Sequence, residues 1–247
     1  MKKWILWGSL AAVACLTACD KENDKLNAIT IVESQFETTV ENWSSDFAQY
    51  SDALFTGTKK DSLTKAYLQI SMERTQLPIA LDSTKYGLRS QSYNPKDSLF
   101  MFIKKKISGF IPGRNYKVVF DINLGTTYFE KSADSLGSPS NSVYLKAGAS
   151  PSEPLKTLVN GYYNFSLNKG KLSQDGTEMV VLGNVSNGSD KQIYRLVPRS
   201  NGNNPVMVKA GEQGQIWLCV GYESNYKGIS VLYYDKIKAT ITEVNAQ

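Results

Sequence analysis

The chain has 247 residues, a formal net charge of +5 and no histidine. The lack of histidine excludes Ser-His-Asp and Cys-His nucleophile systems, zinc sites built on histidine and iron sites that use two histidines and one carboxylate. Catalysis by a pair of carboxylates stays open. The positive charge is small and dispersed, so we expect no nucleic-acid partner, which would need clustered lysines and arginines.

The first residues predict a cleaved secretory signal peptide over residues 1–18. Lys2 and Lys3 precede an apolar stretch from Trp4 to Ala14, and small residues follow it. This order of basic start, apolar middle and small-residue exit is typical of a signal peptide. A membrane span would need about 20 consecutive apolar residues, roughly twice the length of this stretch.

The segment Leu16-Thr17-Ala18-Cys19 resembles the lipobox of bacterial lipoproteins. The resemblance implies that the Cys19 thiol receives diacylglycerol, that the chain is cut before Cys19 and that the new amino terminus is acylated. Several acyl chains on one residue make a durable membrane anchor, because a single chain binds only marginally. The alternative is a soluble secreted protein cut after Ala18, in which Cys19 has no special role.

The polar run from Asp20 to Asp24 predicts a solvated tether over residues 19–27, because it contains no apolar residue to bury. It resembles the acidic export signal of surface lipoproteins of Bacteroidota. An Asp directly after the lipidated Cys also resembles the inner-membrane retention signal of enteric bacteria. We therefore expect a lipid-anchored protein of the cell envelope, in the outer membrane, and surface-exposed if the host is of Bacteroidota type.

Period-two alternation of apolar residues predicts β-strands along most of the chain, while helical periodicity is nearly absent. The clearest strand runs from Asn115 to Leu124 and places Tyr116, Val118, Phe120, Ile122 and Leu124 on one face. Further strands are predicted near residues 29–36, 66–72, 99–107, 143–147, 162–167, 178–182, 192–197, 215–221 and 230–244. Roughly ten short strands predict an all-β fold, an antiparallel β-sandwich or jelly roll, formed by one domain over residues 28–247.

Cys219 is the one cysteine that the mature domain is expected to keep, because Cys15 leaves with the signal peptide and Cys19 is the lipid site. One thiol cannot form an internal disulfide, and a catalytic thiol normally needs a basic partner. Cys219 lies in the apolar run Ile216–Val220. The pattern predicts that it is a small buried hydrophobe.

Three segments together resemble the carbohydrate-binding-module branch of galactose-binding-like jelly rolls. They are Phe36-Glu37 followed by Glu41-Asn42-Trp43, the turn Pro112-Gly113 leading to Tyr116, and the closing Tyr233-Tyr234-Asp235-Lys236-Ile237. The whole chain also resembles surface lipoproteins of Bacteroidota. The first resemblance implies a galactose-binding-like jelly roll that binds carbohydrate.

The same resemblance implies a structural calcium ion held by Glu37 and Asp235. Strict alternation along the last strand predicts that Asp235 points inward together with Ile237 and Ala239. A buried carboxylate needs compensation, which calcium with backbone carbonyls would supply. Hydrogen bonds with a Lys or Arg are the alternative, since two carboxylates fall short of the six to eight oxygens that calcium takes.

Sugar binding in such modules uses aromatic rings that stack on the sugar. The aromatic residues of the predicted loops are therefore the ligand-binding candidates, although strands also bury tyrosine and any one of them can be structural: Trp43, Tyr128, Phe129, Tyr222 and Tyr226. The leading hypothesis is a non-catalytic envelope lipoprotein that binds a glycan or another extracellular ligand. The alternatives are an accessory lipoprotein with a protein partner and a carboxylate-dependent glycoside hydrolase.

Overall fold

The computed structural model describes residues 28–96, 98–130 and 137–244. Cys19 and the predicted tether lie outside the described residues. Two short helices are α1 (Lys60–Tyr67) and α2 (Pro139–Ser142). The strands, in chain order, are β1 (Ile29–Ser34), β2 (Ser44–Ala48), β3 (Tyr50–Ser51), β4 (Ser71–Gln76), β5 (Tyr86–Tyr93), β6 (Leu99–Ser108), β7 (Asn115–Thr126), β8 (Val143–Ser150), β9 (Lys156–Val159), β10 (Tyr162–Phe165), β11 (Met179–Asn184), β12 (Arg195–Ser200), β13 (Val206–Lys209), β14 (Gln215–Ser224) and β15 (Ile229–Val244).

Two antiparallel sheets form the body of the fold. Sheet A has the order β12-β7-β15-β5-β4, with β1 also paired to β15 and β13 to β7, and sheet B has the order β11-β8-β14-β6-β2. The chain crosses between the sheets at each step from β5 to β8 and again from β13 to β15. Such crossing between two antiparallel sheets is typical of a jelly-roll sandwich. The predicted all-β fold class is confirmed.

The core lies between the two sheets. On β7 the predicted alternation is confirmed, because Val118, Phe120 and Ile122 are almost completely buried while the residues between them are not. They pack in one cluster with the inward side chains of sheet B, such as Leu218 and Val220 of β14. Burying each large apolar side chain stabilises the fold by about 1.5–3 kcal/mol relative to leaving it exposed.

The outer face of sheet B is covered by residues 151–178, which we call the covering segment. The outward side chains of Phe100 and Phe102 on β6 contact the ring of Phe165, at centroid distances of 4.8 and 4.7 Å. Cys219 belongs to the same buried cluster and is fully buried, as predicted. Further along β6, the buried Lys104 ammonium donates to the Pro154 carbonyl at 2.8 Å. Both faces of sheet B are therefore packed against protein in this region.

Helix α1 and strand β4 correct the sequence prediction of a strand over residues 66–72. Ala66 and Tyr67 form the last turn of α1, and β4 begins only at Ser71. Strands β2, β5 and β13 lie where no strand was predicted. Polar residues interrupt the alternation of β2 and β5, and β13 is only four residues long, too short for its alternation to stand out. Within the described ranges, no helix combines the length and the apolar character that crossing a membrane requires.

Candidate functional site

Two adjoining depressions lie where the loop from β5 to β6 meets the loop from β2 to β3. The first, the end cavity, has a volume of about 230 Å³, and the second, the lysine cavity, about 500 Å³. Both are lined by Gln49 and Ser98, so they form one cleft. Its size lies in the range of about 300–1,000 Å³ that is usual for small-ligand sites. The end cavity is lined further by Tyr50, Ser51, Leu54, Leu68, Asn94, Pro95, Lys96, Leu99 and Tyr162, and the lysine cavity by Leu167, Asn168, Lys169, Gly170, Lys171, Gln174 and Glu223.

An aromatic trio, Phe55, Tyr67 and Tyr93, follows or precedes lining residues of the end cavity in the chain, although none of the three belongs to the lining itself. The ring of Tyr67 meets the ring of Phe55 edge-on at a centroid distance of 5.8 Å and that of Tyr93 at 6.1 Å. Each member is the chain neighbour of a residue that lines the cavity, and the Tyr93 N–H donates to the Leu68 carbonyl at 2.6 Å. Tyr67 is 44% exposed. The trio therefore presents a supported ring surface to solvent beside the cavity.

Helix α1 places Tyr67 there. Asp61 lies in its first turn and Lys65 in its last, a charge order that the helix dipole favours. The Lys60 ammonium forms an ion pair with Asp52 at 2.5 Å, which ties the first turn to the neighbouring loop. Directly after the helix, Leu68 is buried to 1% exposure. Because both ends are held, the ring at the last helical position has a defined place.

The two tyrosines inside the end cavity differ in what they offer a ligand. Tyr50 is stacked between the rings of Phe47 and Tyr163, each at a centroid distance of 4.8 Å, so both of its faces are occupied. Burial and the neighbouring Tyr163 raise the pKa of its hydroxyl. Tyr162 is half-buried, and its hydroxyl lies 3.1 Å from the Ser98 hydroxyl. Of the four hydroxyl residues in the lining, Tyr50 and Ser51 already accept hydrogen bonds from Lys156 and Ala53, whereas Tyr162 and Ser98 contact each other.

Gln49 lies at the junction of the two cavities. Its backbone adopts a φ of 69°, a left-handed conformation that costs energy for a residue with a side chain, and its N–H donates to the Tyr163 carbonyl at 2.7 Å. In the described ranges the side-chain amide of Gln49 makes no hydrogen bond to protein. The amide of Asn94, by contrast, donates to the Ser224 carbonyl at 2.8 Å and holds the loop. Of the two amide side chains that line the end cavity, Gln49 is therefore the one available to hydrogen-bond a ligand.

A buried ion cluster forms the floor of the lysine cavity. The Glu223 carboxylate accepts from the Lys169 ammonium at 2.7 Å through Oε1, and through Oε2 it faces the Lys146 ammonium at 3.4 Å and accepts from the Leu172 N–H at 2.9 Å. The Lys146 side chain is fully buried. Its ammonium also donates to the carbonyls of Lys169 and Gln174 at 2.6 and 3.0 Å. Burial lowers the pKa of Lys146, because desolvation disfavours its charged form.

Three of the five predicted ligand-binding aromatics, Trp43, Tyr222 and Tyr226, lie inside the protein. Tyr222 belongs to β14 rather than to a loop, is fully buried and has its hydroxyl 3.1 Å from that of Ser92. Burial raises the pKa of Tyr222 to about 12. Trp43 is only 6% exposed, and its indole N–H donates to the Ser34 hydroxyl at 3.0 Å. None of the three rings is presented to solvent, because each fills space in the core.

Tyr128, Phe129 and Tyr226 lie in loops at one end of the sandwich, as the sequence suggested. The Tyr128 hydroxyl donates to the Ile229 carbonyl at 3.1 Å and accepts from the Val231 N–H at 2.8 Å, which holds the start of β15. Tyr226 is 7% exposed, and Phe129 is half-buried. The three do not line the cleft. Their ligand-binding role stays a prediction.

The predicted calcium ligands Glu37 and Asp235 are brought together in one polar depression of about 210 Å³, the carboxylate depression. It is completed by Gln35, Lys85, Asn123 and Lys236. The Asn123 amide donates to the Asp235 carboxylate at 3.2 Å, and the Tyr86 N–H to Glu37 at 3.3 Å.

The inward orientation predicted for Asp235 is wrong. A β-bulge between Tyr234 and Lys236 inserts Asp235 as an extra residue in the strand. The inward, buried side chains are therefore Tyr234 before the bulge and Ile237 after it, and Asp235 itself is only half-buried. Among the described residues, no group of three or more Cys, Asp or Glu side chains is placed to hold a metal ion. With two lysines in the same depression, this donor set does not fit calcium by itself.

Sequence reasoning missed the aromatic trio and the ion cluster. Tyr67 was assigned to a strand, and Phe55 and Tyr93 lie far from it in the sequence. The signal that points to α1 is local: Asp61 and Lys65 at opposite ends of a short run with no Gly or Pro. Lys146 and Glu223 carry no such local signal: Lys146 interrupts the apolar strand predicted over residues 143–147, and Glu223 lies two residues past the strand predicted over 215–221.

The comparisons with known proteins show likeness in structure alone. No protein-family model matches the chain, and no curated protein matches it significantly. The family 11 carbohydrate-binding module of a Clostridium thermocellum cellulosomal cellulase is similar at a TM-score of 0.36 and 9% identity, over 89% of this chain and 95% of that chain. The K1 cleaved adhesin domain of Lys-gingipain from Porphyromonas gingivalis is similar at a TM-score of 0.32 and 9% identity, over 88% and 99%. The enzymatically active domain of tailspike protein 4 from bacteriophage CBA120 is similar at a TM-score of 0.36 and 10% identity. The match covers 83% of this chain but only 20% of that chain.

Proposed function

We propose that the protein is a non-catalytic carbohydrate-binding protein whose ligand site is the cleft and the aromatic trio. The observation that carries the proposal is the exposed, supported ring of Tyr67 beside a cavity that offers an amide and hydroxyls. An aromatic face covers the apolar face of a sugar ring, while Gln49, Ser98 and Tyr162 can exchange hydrogen bonds with sugar hydroxyls.

The charges of the cleft favour binding over hydrolysis. Glycoside hydrolysis uses two carboxyl groups about 5–9.5 Å apart across the scissile bond. Among the described residues that line the cleft, Glu223 is the one carboxylate, and two lysines already pair with it. A carboxylate held in this way has neither the freedom nor the partner that acid–base catalysis requires.

We also propose that Cys19 carries the lipid anchor and holds the domain at the cell envelope. The lipobox supports this part of the proposal, and β1 begins only ten residues after Cys19. Replacing Cys19 with Ala should move the protein from the membrane fraction to the soluble fraction. Retention of the variant in washed membranes would contradict the anchor.

The ligand proposal is tested with a glycan array on the purified full-length protein, followed by calorimetry on the best ligands. Truncating an aromatic residue that anchors a ligand costs more than about 1 kcal/mol, or about fivefold in Kd. Tyr67→Ala should therefore weaken binding by at least about that factor. Tyr194→Ala is the matched control, since Tyr194 also makes an edge-on ring contact, with Tyr233 at 5.7 Å, but lies outside the cleft. Equal losses in both variants would refute this site.

A protein partner is the second candidate, and the outer face of sheet A supports it. Ile29 of β1 and Met207 of β13 are 63% and 54% exposed and lie in one cross-strand row, with Thr242 and Lys117 between them. Ile31 in the next row is 59% exposed. Exposed apolar side chains in adjoining rows are typical of association surfaces. Loss of a co-purifying envelope protein in an Ile31→Lys variant would favour this function.

A further inference from the structure

We infer that the ligand of the cleft is an acidic carbohydrate, with the carboxylate of a uronic-acid residue bound in the lysine cavity and a neighbouring sugar ring on the aromatic trio. This inference rests on the proposed function and adds the substrate class. The carboxylate would be bound by the ammonium groups that line or underlie the cleft: Lys96, Lys146, Lys169 and Lys171.

The lysines of the cleft outnumber the carboxylates. Lys96 lines the end cavity, Lys169 and Lys171 line the lysine cavity, and Glu223 is the one acidic residue among the described lining. Two of the three acidic residues that act on Tyr50 are paired, Asp46 with Lys156 at 3.3 Å and Asp52 with Lys60, and the third, Asp61, does not line the cleft. The cleft therefore carries an excess of positive charge.

In the buried cluster, Glu223 is the one carboxylate of the described ranges within ion-pair distance of the two ammonium groups, while the exposed Asp175 acts on Lys146 only from farther away. Both oxygens of Glu223 are engaged, by the ammonium groups of Lys169 and Lys146 and by the Leu172 N–H. One carboxylate thus contacts two buried ammonium groups. Buried charges are normally paired, because removing an ion from water is costly. An anion bound in the lysine cavity would supply the missing negative charge.

The remaining lining suits a sugar rather than a free inorganic anion. Asn168 and Gln174 stand beside the lysines, and Gln49 and Ser98 connect the lysine cavity to the end cavity. The Asn168 side-chain oxygen accepts from the Gly170 N–H at 3.2 Å, which directs its amide nitrogen to other partners. A chain of sugar residues can therefore place a carboxylate on the lysines and hydroxyls on the amides at the same time.

The test compares one ligand in two chemical forms on the purified full-length protein. Uronic-acid oligosaccharides are titrated before and after reduction of their carboxylates to primary alcohols, which removes charge and leaves the ring. The acidic form should bind at least about tenfold more tightly, and its advantage should shrink as salt rises from about 50 to about 500 mM, because partly exposed charges are screened.

Single substitutions show which residues of the cleft bind the carboxylate. Lys171→Gln and Lys96→Gln, both at exposed positions, should weaken binding of the acidic form by about threefold or more and leave the reduced form unchanged. Lys59→Gln is the matched control, an exposed lysine outside the cleft lining, and should change neither. Tyr67→Ala should weaken both forms, since it removes the ring surface and not the charge. Acetate and inorganic phosphate should compete only through ionic strength.

Three outcomes decide the matter. Equal affinity for the two forms, or Lys171→Gln behaving like Lys59→Gln, would overturn the acidic specificity and leave sugar binding intact. Displacement by acetate or phosphate at concentrations that barely change the ionic strength would show a simple anion site and also overturn it. Absence of binding to either form and to neutral glycans would remove the proposed function itself.

Discussion

Replacing Glu223 with Gln should destabilise the protein severely, because it removes the one carboxylate of the buried ion cluster. The side chains of Glu223, Lys146 and Lys169 are 4%, 0% and 8% exposed. Gln keeps the shape but leaves two ammonium groups uncompensated at distances of 2.7 and 3.4 Å from its amide. Breaking a buried ion pair from one side costs about 3–5 kcal/mol, which lowers the Tm of a domain of this size by about 6–20 °C.

Calorimetric melting of two further variants tests whether the imbalance of charge, and not only the substitution, causes the loss of stability. Lys146→Met removes the surplus cation and leaves Glu223 and Lys169 as a balanced pair. Its cost should be limited to two lost hydrogen bonds to backbone carbonyls, about 0.5–1.5 kcal/mol each, so the total stays below that of Glu223→Gln. Glu73→Gln is the control, since Glu73 pairs with Arg89 at 3.2 Å but is 59% exposed, and it should cost less than about 1 kcal/mol. A Lys146→Met variant less stable than Glu223→Gln would refute the argument from charge balance.

Three further predictions concern pH, metal and backbone. Burial raises the pKa of Tyr222 to about 12 and that of the Cys219 thiol above its ordinary 9.0. The unfolded chain releases these protons first, so the stability that the two groups contribute is present below about pH 9 and is lost as the pH rises toward 12; the lowered pKa of Lys146 acts in the opposite direction. Urea unfolding at pH 8, 10 and 11 checks the trend. Excess EDTA should leave the Tm unchanged, because lysines share the carboxylate depression; a drop that calcium reverses would contradict this. Gly170→Ala should lower the free energy of unfolding more than Gly188→Ala. Both glycines have φ near +65°, where a side chain costs about 1–2 kcal/mol, but only at Gly170 would the new Cβ lie 2.3 Å from a backbone oxygen. Equal melting temperatures of the two variants would contradict this packing argument.

Local patterns predicted the strands well where one face is buried and the other is not. β7 begins at Asn115 as predicted and continues two residues past Leu124, and β6 and β15 match their predicted ranges within one residue at each end. The reason is that alternation is a property of neighbouring residues and needs no knowledge of the partner strand. Strand β5 was not predicted because polar residues, whose burial depends on distant elements, interrupt its alternation, and β13 because it is only four residues long. On β5, for example, the buried Ser90 and Ser92 face the hydroxyl of Tyr222 across the core.

The candidate site was less predictable than the fold. The resemblance correctly brought Glu37 and Asp235 to one depression, but the bulge at Asp235 changed the face on which the carboxylate lies. A bulge of one residue moves every later side chain to the other face, and strict alternation cannot show it. Likewise, Tyr222 and Trp43 were predicted to present their rings from loops. Tyr222 lies in β14, and Trp43 does precede β2, but both rings are buried because other residues pack over them.

Read alone, the amino-acid order determined that this chain is an antiparallel β-protein without histidine chemistry, with one buried thiol and an amino-terminal segment typical of export. These properties follow from residue type and from spacing between near neighbours. The tertiary structure decided which rings reach solvent, that the covering segment closes the outer face of sheet B, and that Lys146, Lys169 and Glu223 meet beneath a cleft. Those contacts join residues far apart in the chain, and their energies arise only when the two sheets and the covering segment have packed together.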